Sequence, residues 1–250
     1  EVKRTDIAFL QYTGGTTGVS KGATLTHSNI LSSIEQMRLW CEVGFRRKGR
    51  PENLVYICAL PLYHIFALTV NAMIGIRQGG LNVLIPNPRD IPGLVKVLQQ
   101  QKFHFFPGLS TLFNALMNNE EFRKVDFTAL LLSFSGGMAM QRPIADRWKE
   151  TTGCLIIEGY GLSETSPVGT ANPLDATEFS GTIGLPLSST DIAIRDDDGK
   201  DLPLMEVGEI CIRGPQVMLG YWNRPDETEK VMTEDGFFRT GVMGYMDARG

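Results

Sequence analysis

Cysteine is scarce and scattered in this chain: Cys41, Cys58, Cys154 and Cys211 stand far apart, and no Cys-x-x-Cys pair occurs. Cys58 and Cys211 sit inside apolar strand-like runs, where a buried free thiol is the ordinary outcome. A reduced, cytoplasmic setting is expected from that usage. Long apolar runs are missing as well. The longest, Ile65 to Ile76, is interrupted by Thr69, Asn71 and Gly75. It falls short of the ~20 residues that a membrane-spanning helix requires and reads as a buried helix. Positive charge is not in excess: 24 Lys and Arg against 28 Asp and Glu give a net charge of −4, which offers no electrostatic argument for nucleic-acid binding. The opening residues Glu1-Val2-Lys3-Arg4-Thr5-Asp6 have no apolar core behind their charges, so no secretory leader is expected there. What is present is ordinary for a globular protein, 42% apolar and 21% charged over 250 residues.

Three glycine-rich polar loops stand out, each directly after a short apolar run. Tyr12-Thr13-Gly14-Gly15-Thr16-Thr17-Gly18-Val19-Ser20-Lys21-Gly22 follows Ile7–Leu10, Ser135-Gly136-Gly137-Met138 follows Leu130–Leu132, and Glu158-Gly159-Tyr160-Gly161-Leu162-Ser163-Glu164-Thr165 follows Leu155–Ile157. Open α/β sheets bind ligands at the carboxyl ends of their strands, so three such loops on one sheet edge would converge on one crevice. In the first loop, Gly14, Gly15 and Gly18 let successive N–H groups turn inward as a phosphate cradle. Thr13, Thr16 and Thr17 add hydroxyl donors, and Lys21 adds a point charge for an outer phosphate. It is not a Walker A loop, because Lys21 stands between Ser20 and Gly22. In the third loop Tyr160 can lie against a base, Ser163 can donate to a phosphate, and Glu164 is a hard oxygen ligand suited to Mg²⁺. A strand-to-helix turn with Glu164 in a first helical turn explains the same residues about as well. A nucleophile elbow does not, since Thr165 occupies its last glycine position.

Strand-like segments at Ile7–Leu10, Leu54–Leu60, Leu81–Ile85, Phe103–Phe106, Leu130–Phe134 and Leu155–Ile157 alternate with helical ones at Asn29–Trp40, Phe66–Ile76, Ile91–Gln100, Thr111–Asn118 and Arg142–Thr151. Such alternation predicts an α/β layer with a mostly parallel sheet over residues 1–180. From Gly181 the texture changes to β-rich, with Thr190–Arg195 and Glu209–Arg213 flanking the turn Asp196-Asp197-Asp198-Gly199, and only Asp226–Thr233 helical. A second, β-rich subdomain over 181–250 is expected.

The first loop resembles the phosphate loop of the adenylate-forming (AMP-binding) enzymes, and its Gly14-Gly15 pair is similar to the long-chain fatty acid–CoA ligase branch. Ser20 stands where members often carry proline. The third loop resembles the superfamily's second signature, with Ser163 in place of threonine, and Ser135–Ala139 resembles its adenine-packing glycine turn. The resemblance implies an ATP- and Mg²⁺-dependent activation of a fatty acid as acyl-adenylate, then transfer to CoA. Thr13, Gly14, Gly15, Thr16, Thr17, Gly18 and Lys21 would hold the outer phosphates. Gly136, Gly137, Met138, Glu158, Gly159, Tyr160 and Gly161 would border the nucleotide, Ser163 the α-phosphate, and Glu164 the metal.

The resemblance also gives Pro61–Phe66 a role, in which His64 orients a carboxylate or CoA; a histidine serving only the strand end is an equal reading. His27 and His104 are read as structural. Phe105–Phe113 is similar to an acyl-pocket wall. Gly208–Gly214 and Met218-Leu219-Gly220-Tyr221-Trp222 resemble a late structural signature, for which no catalytic role is expected. One departure is informative: Thr240-Gly241-Val242 places valine where the pattern has a ribose-gripping aspartate. By the same resemblance the chain is a fragment, with the hinge and the small C-terminal domain outside it. A catalytically silent nucleotide- or acyl-binding piece and an aryl or medium-chain ligase are the alternatives. Peripheral contact with the inner face of a membrane is compatible with a fatty acid substrate, and oligomeric state is not indicated.

Overall fold

A computed structural model of the chain describes residues 1–13 and 20–250. Gly14, Gly15, Thr16, Thr17 and Gly18 of the first glycine-rich loop lie outside the described residues. In chain order the elements begin with strands β1 (Ile7–Thr13) and β2 (Lys21–Thr26), helix α1 (His27–Lys48), β3 (Val55–Cys58), a wide π-helical stretch Ala67–Met73 running into α2 (Ile74–Arg77), and β4 (Leu81–Leu84). There follow α3 (Ile91–Gln100), β5 (Phe105–Gly108), α4 (Ser110–Met117), a 3₁₀ turn Glu120–Lys124, β6 (Leu132–Ser135), α5 (Arg142–Thr152), β7 (Ile156–Gly161), a 3₁₀ turn Ser163–Thr165 and β8 (Val168–Ala171). The remaining elements are β9 (Leu185–Pro186), β10 (Asp191–Arg195), β11 (Gly208–Arg213), β12 (Gly220–Tyr221), α6 (Pro225–Val231) and β13 (Phe238–Gly244). They divide into two compact units, one of Glu1–Ser33, Gly161–Gly169 and Leu185–Gly250, the other of Ile34–Tyr160 and Thr170–Gly184.

The second unit is the expected α/β layer. Its sheet runs β4-β3-β5-β6-β7-β8, and the pairs from β4 through β7 are parallel. Strands covered on both faces need apolar side chains on both, and β5 and β6 are buried at every residue. Aromatic rings fill the layer between sheet and helices: Phe113 lies 4.5 Å from Trp148 and 5.9 Å from Phe106, centroid to centroid. The one polar atom of Trp148 is satisfied there, Nε1 donating to Ser133 Oγ at 2.9 Å. Helix α3 starts where Asp90 Oδ1 accepts from the Gly93 N–H at 3.0 Å, a capping bond that meets one of the first-turn donors. Strand β6 ends at Ser135 and lies in register with β7, Ser135 opposite Glu158, so the second and third loops leave the sheet side by side.

The first unit corrects the sequence reading at its start. Ile7–Leu10 is not a strand of the parallel sheet: β1 pairs antiparallel with β2, Tyr12 opposite Gly22, and β2 pairs antiparallel with β12. Pairing is why Glu1–Ser33 groups with the β-rich residues and not with the α/β part to which the sequence pattern assigns it. A second antiparallel sheet has the order β10-β11-β13, and Asp196–Gly199 makes the turn that the sequence indicates. Among the described residues no helix is long and apolar enough to cross a membrane.

Candidate nucleotide site

In the first unit a chain of polar contacts converges on Tyr221. The register of β12 against β2 sets Tyr221 opposite Ala23 and Gly220 opposite Thr24. Side chains two apart share a face of a strand, so Lys21 falls diagonally beside Tyr221. Lys21 Nζ lies 4.8 Å from the centre of the Tyr221 ring and forms an ion pair with Glu227 Oε2 at 2.8 Å. Glu227 takes a second cation, Lys230, at 2.7 Å. Hydrogen bonding from Lys21 first, and from Lys230 next, holds its carboxyl down to about 2. The Tyr221 hydroxyl donates to Glu164 Oε1 at 2.8 Å. Burial, then the neighbouring Glu164 carboxylate, pushes that phenol well above its usual range, so it keeps its proton and remains a hydrogen-bond donor throughout the physiological range.

Glu164 is buried, 7% exposed, and its main chain is held by the same segment, its carbonyl accepting from the Met218 N–H at 2.7 Å. It sits on a tight turn built by local bonds: Leu162 N–H donates to Thr165 Oγ1 at 2.9 Å, and Thr165 Oγ1 also bonds the Pro167 carbonyl. Gly161 enters the turn so closely that a Cβ there would stand 1.8 Å from the Pro167 carbonyl oxygen; no other residue fits. Gly220 serves β12 likewise, with φ +150° and Thr228 Cγ2 at 2.8 Å from a would-be Cβ. Ser163 is half-buried beside Glu164.

These residues bear on a divalent cation. Among the described residues no group of three His, Cys, Asp or Glu could form a cage, and Glu164 Oε2 takes no hydrogen bond from them. One buried carboxylate with a free oxygen fits Mg²⁺, which usually takes one or two carboxylates and completes its shell with water and substrate phosphates. Glu164 would hold it.

The second unit carries the other predicted residues. Gly136 lies near the Gly159 carbonyl, 3.5 Å from the position a Cβ would take, and Met138 is half-exposed. Glu158 Oε1 accepts from the Met140 N–H at 2.8 Å, tying the two loops together; burial raises its carboxyl, and the Met140 bond partly offsets this. Gly159 packs under Phe134 and Tyr160 is half-buried. Ser135 Oγ is buried with no partner among the described residues. His64 is exposed, its Nδ1 accepting from the Phe66 N–H at 3.2 Å where the helical stretch begins. His104 has a backbone role, Nδ1 accepting from the Val55 N–H at 3.0 Å. Thus Gly136, Gly137, Met138, Glu158, Gly159 and Tyr160 fall in one unit, and Lys21, Gly161, Ser163, Glu164 and Val242 in the other.

Val242 lies on β13, 40% exposed. Around it Thr240 Oγ1 accepts from the Val242 N–H at 3.1 Å, and Glu209 Oε1 accepts from the Gly241 N–H at 2.8 Å. Its isopropyl group offers no hydrogen bond. Two members of the cluster escape sequence reasoning. Tyr221 stands within Met218–Trp222 and reads in sequence as an aromatic plug; nothing in sequence ties Glu227 to Lys21, 206 positions earlier.

A parallel sheet with glycine-rich turns at adjacent strand ends, joined to antiparallel β-structure that carries a buried glutamate and a lysine, defines an α/β protein of the nucleotide-handling kind. The family model of the AMP-binding enzyme matches residues 1–222, and the chain belongs to that family. It is 53% identical over its whole length to a long-chain-fatty-acid–CoA ligase of Yersinia pestis and 51% identical over 99% of its length to one of Haemophilus influenzae. It spans 44% and 43% of those relatives, under half of each. Its fold is similar to that of ATP-bound MatB from Rhodopseudomonas palustris, with a TM-score of 0.88 and 30% identity, covering 99% of this chain and 47% of that one.

Proposed function

We propose that the whole protein to which this chain belongs activates a long-chain fatty acid with ATP and passes it to CoA. The observation that carries the reading is the 53% identity to a long-chain-fatty-acid–CoA ligase across all 250 residues. The fatty acid carboxylate attacks the α-phosphate of ATP, a P–O bond to pyrophosphate breaks, and the CoA thiol then displaces AMP from the acyl-adenylate. Bound Mg²⁺ would neutralise phosphate charge as pyrophosphate leaves. The residues of this chain position and neutralise. Lys21, released from Glu227, meets an outer phosphate together with Thr13, Gly14, Gly15, Thr16, Thr17 and Gly18. Ser163 donates to the α-phosphate. Gly136, Gly137, Met138, Glu158, Gly159, Tyr160 and Gly161 border the nucleotide. His64, with Nδ1 engaged at a helix start, keeps Nε2 for the carboxylate or CoA side.

The experiment is acid-dependent AMP release by the whole protein with ATP, Mg²⁺ and CoA. Decanoate to oleate should exceed acetate and benzoate. Equal or faster turnover of benzoate would move the protein to the aryl-CoA ligases.

A further inference from the structure

We infer that Tyr221 is a positioning residue for the metal-binding carboxylate: its hydroxyl fixes Glu164 through Oε1 and leaves Oε2 to the cation. The inference rests on the assignment of Glu164 as metal ligand. Three observations carry it. The Tyr221 hydroxyl meets Oε1 at 2.8 Å in a buried setting. The Tyr221 main chain is fixed independently of that bond, its N–H donating to Thr228 Oγ1 at 2.9 Å while β12 pairs with β2. Thirdly, the Met218 N–H holds the Glu164 carbonyl at 2.7 Å, so one segment grips this glutamate by main chain and side chain together. A partner of a ligating carboxylate sets which oxygen faces the metal.

A hydroxyl that merely satisfied a buried phenol would leave the metal dependence of ATP binding alone. The two roles therefore separate in calorimetric titration of the whole protein with ATP, in Mg²⁺ and in chelator. Tyr221→Phe keeps the ring under Lys21 and removes only the hydroxyl. It should weaken ATP binding in Mg²⁺ about ten-fold or more and leave metal-free ATP binding unchanged. In a Glu164→Gln background the same substitution should change neither. Equal weakening with and without Mg²⁺, or an undiminished effect in the Glu164→Gln background, would overturn the inference while sparing the proposed function. If Mg²⁺ does not tighten ATP binding to the wild type, the metal assignment falls, and the inference with it.

Discussion

At the scale of single residues, the sharpest consequence concerns Val242. On the proposed assignment of Val242 to the ribose side of the nucleotide, a ribose diol offers donors that favour a charged acceptor, and Val242 would present a partly exposed isopropyl group instead. Hydrogen bonds to charged groups contribute about 1.5–3 kcal/mol. Val242→Asp in the whole protein should therefore tighten ATP binding about ten-fold to a hundred-fold. Since the side chain is 40% exposed, the thermal midpoint should stay close to where it is. Calorimetric titration with ATP·Mg²⁺ decides it: equal affinity in both forms would mean that other groups hold the ribose.

Elements show where sequence was informative and where it was silent. Strands β3, β5 and β6, the start of β7 and helices α3 to α5 were legible because buried parallel strands are continuous apolar runs and their covering helices repeat every three to four residues. Strand β4 was legible from its apolar residues although Leu81 and Leu84 are exposed. Strand β2 was not legible. Its Lys21-Gly22-Ala23-Thr24-Leu25-Thr26 is buried at five of six positions, yet small and hydroxyl side chains give little alternation to read. Strand β8, Val168-Gly169-Thr170-Ala171, was silent for the same reason, and β13 is buried only at Phe238 and interrupted by Gly241, so no apolar alternation marks it. The site divided likewise. Glycine loops announce themselves locally, whereas the bond from Tyr221 to Glu164 spans 57 positions and exists only through pairing. The layer of α5 on the sheet makes its own prediction. Trp148→Phe leaves the fully buried Ser133 hydroxyl unpaired and a gap beside it, costing about 2–4 kcal/mol in a urea titration. Adding Ser133→Ala should restore about 1 kcal/mol by removing the unpaired group.

Across the whole molecule the four cysteines stand outside disulfides and are buried. Burial pushes the Cys41 and Cys58 thiols from an ordinary value of about 9 up to about 12, and raises Cys211 as well. The thiolate is the reactive form, so labelling with iodoacetamide at pH 8 should spare Cys41, Cys58 and Cys211 in the native protein and reach them after unfolding, as read by peptide mass spectrometry. Because Cys41 and Cys58 lie in one unit and Cys211 in the other, the pattern reports on each unit separately. The unfolded chain ionises these thiols near pH 9 while the folded one resists to about 12. Their stabilising contribution is therefore whole below pH 9 and drains away as pH rises through that window.

The pairing of β2 with β12 bears on recombination between this chain and its relatives. Side chains alternate along a strand, so sliding β12 by a single residue turns Tyr221 to the far face and separates it from both Glu164 and Lys21. A slide of two residues restores the face but carries the ring roughly 7 Å along the strand. The turn that supports Glu164 and the segment 218–221 thus share a parity, odd or even, that no local sequence score records. Crossovers that draw β2 and β12 from different parents keep both that parity and the position of the ring only when the residues preceding Gly220 are matched in number.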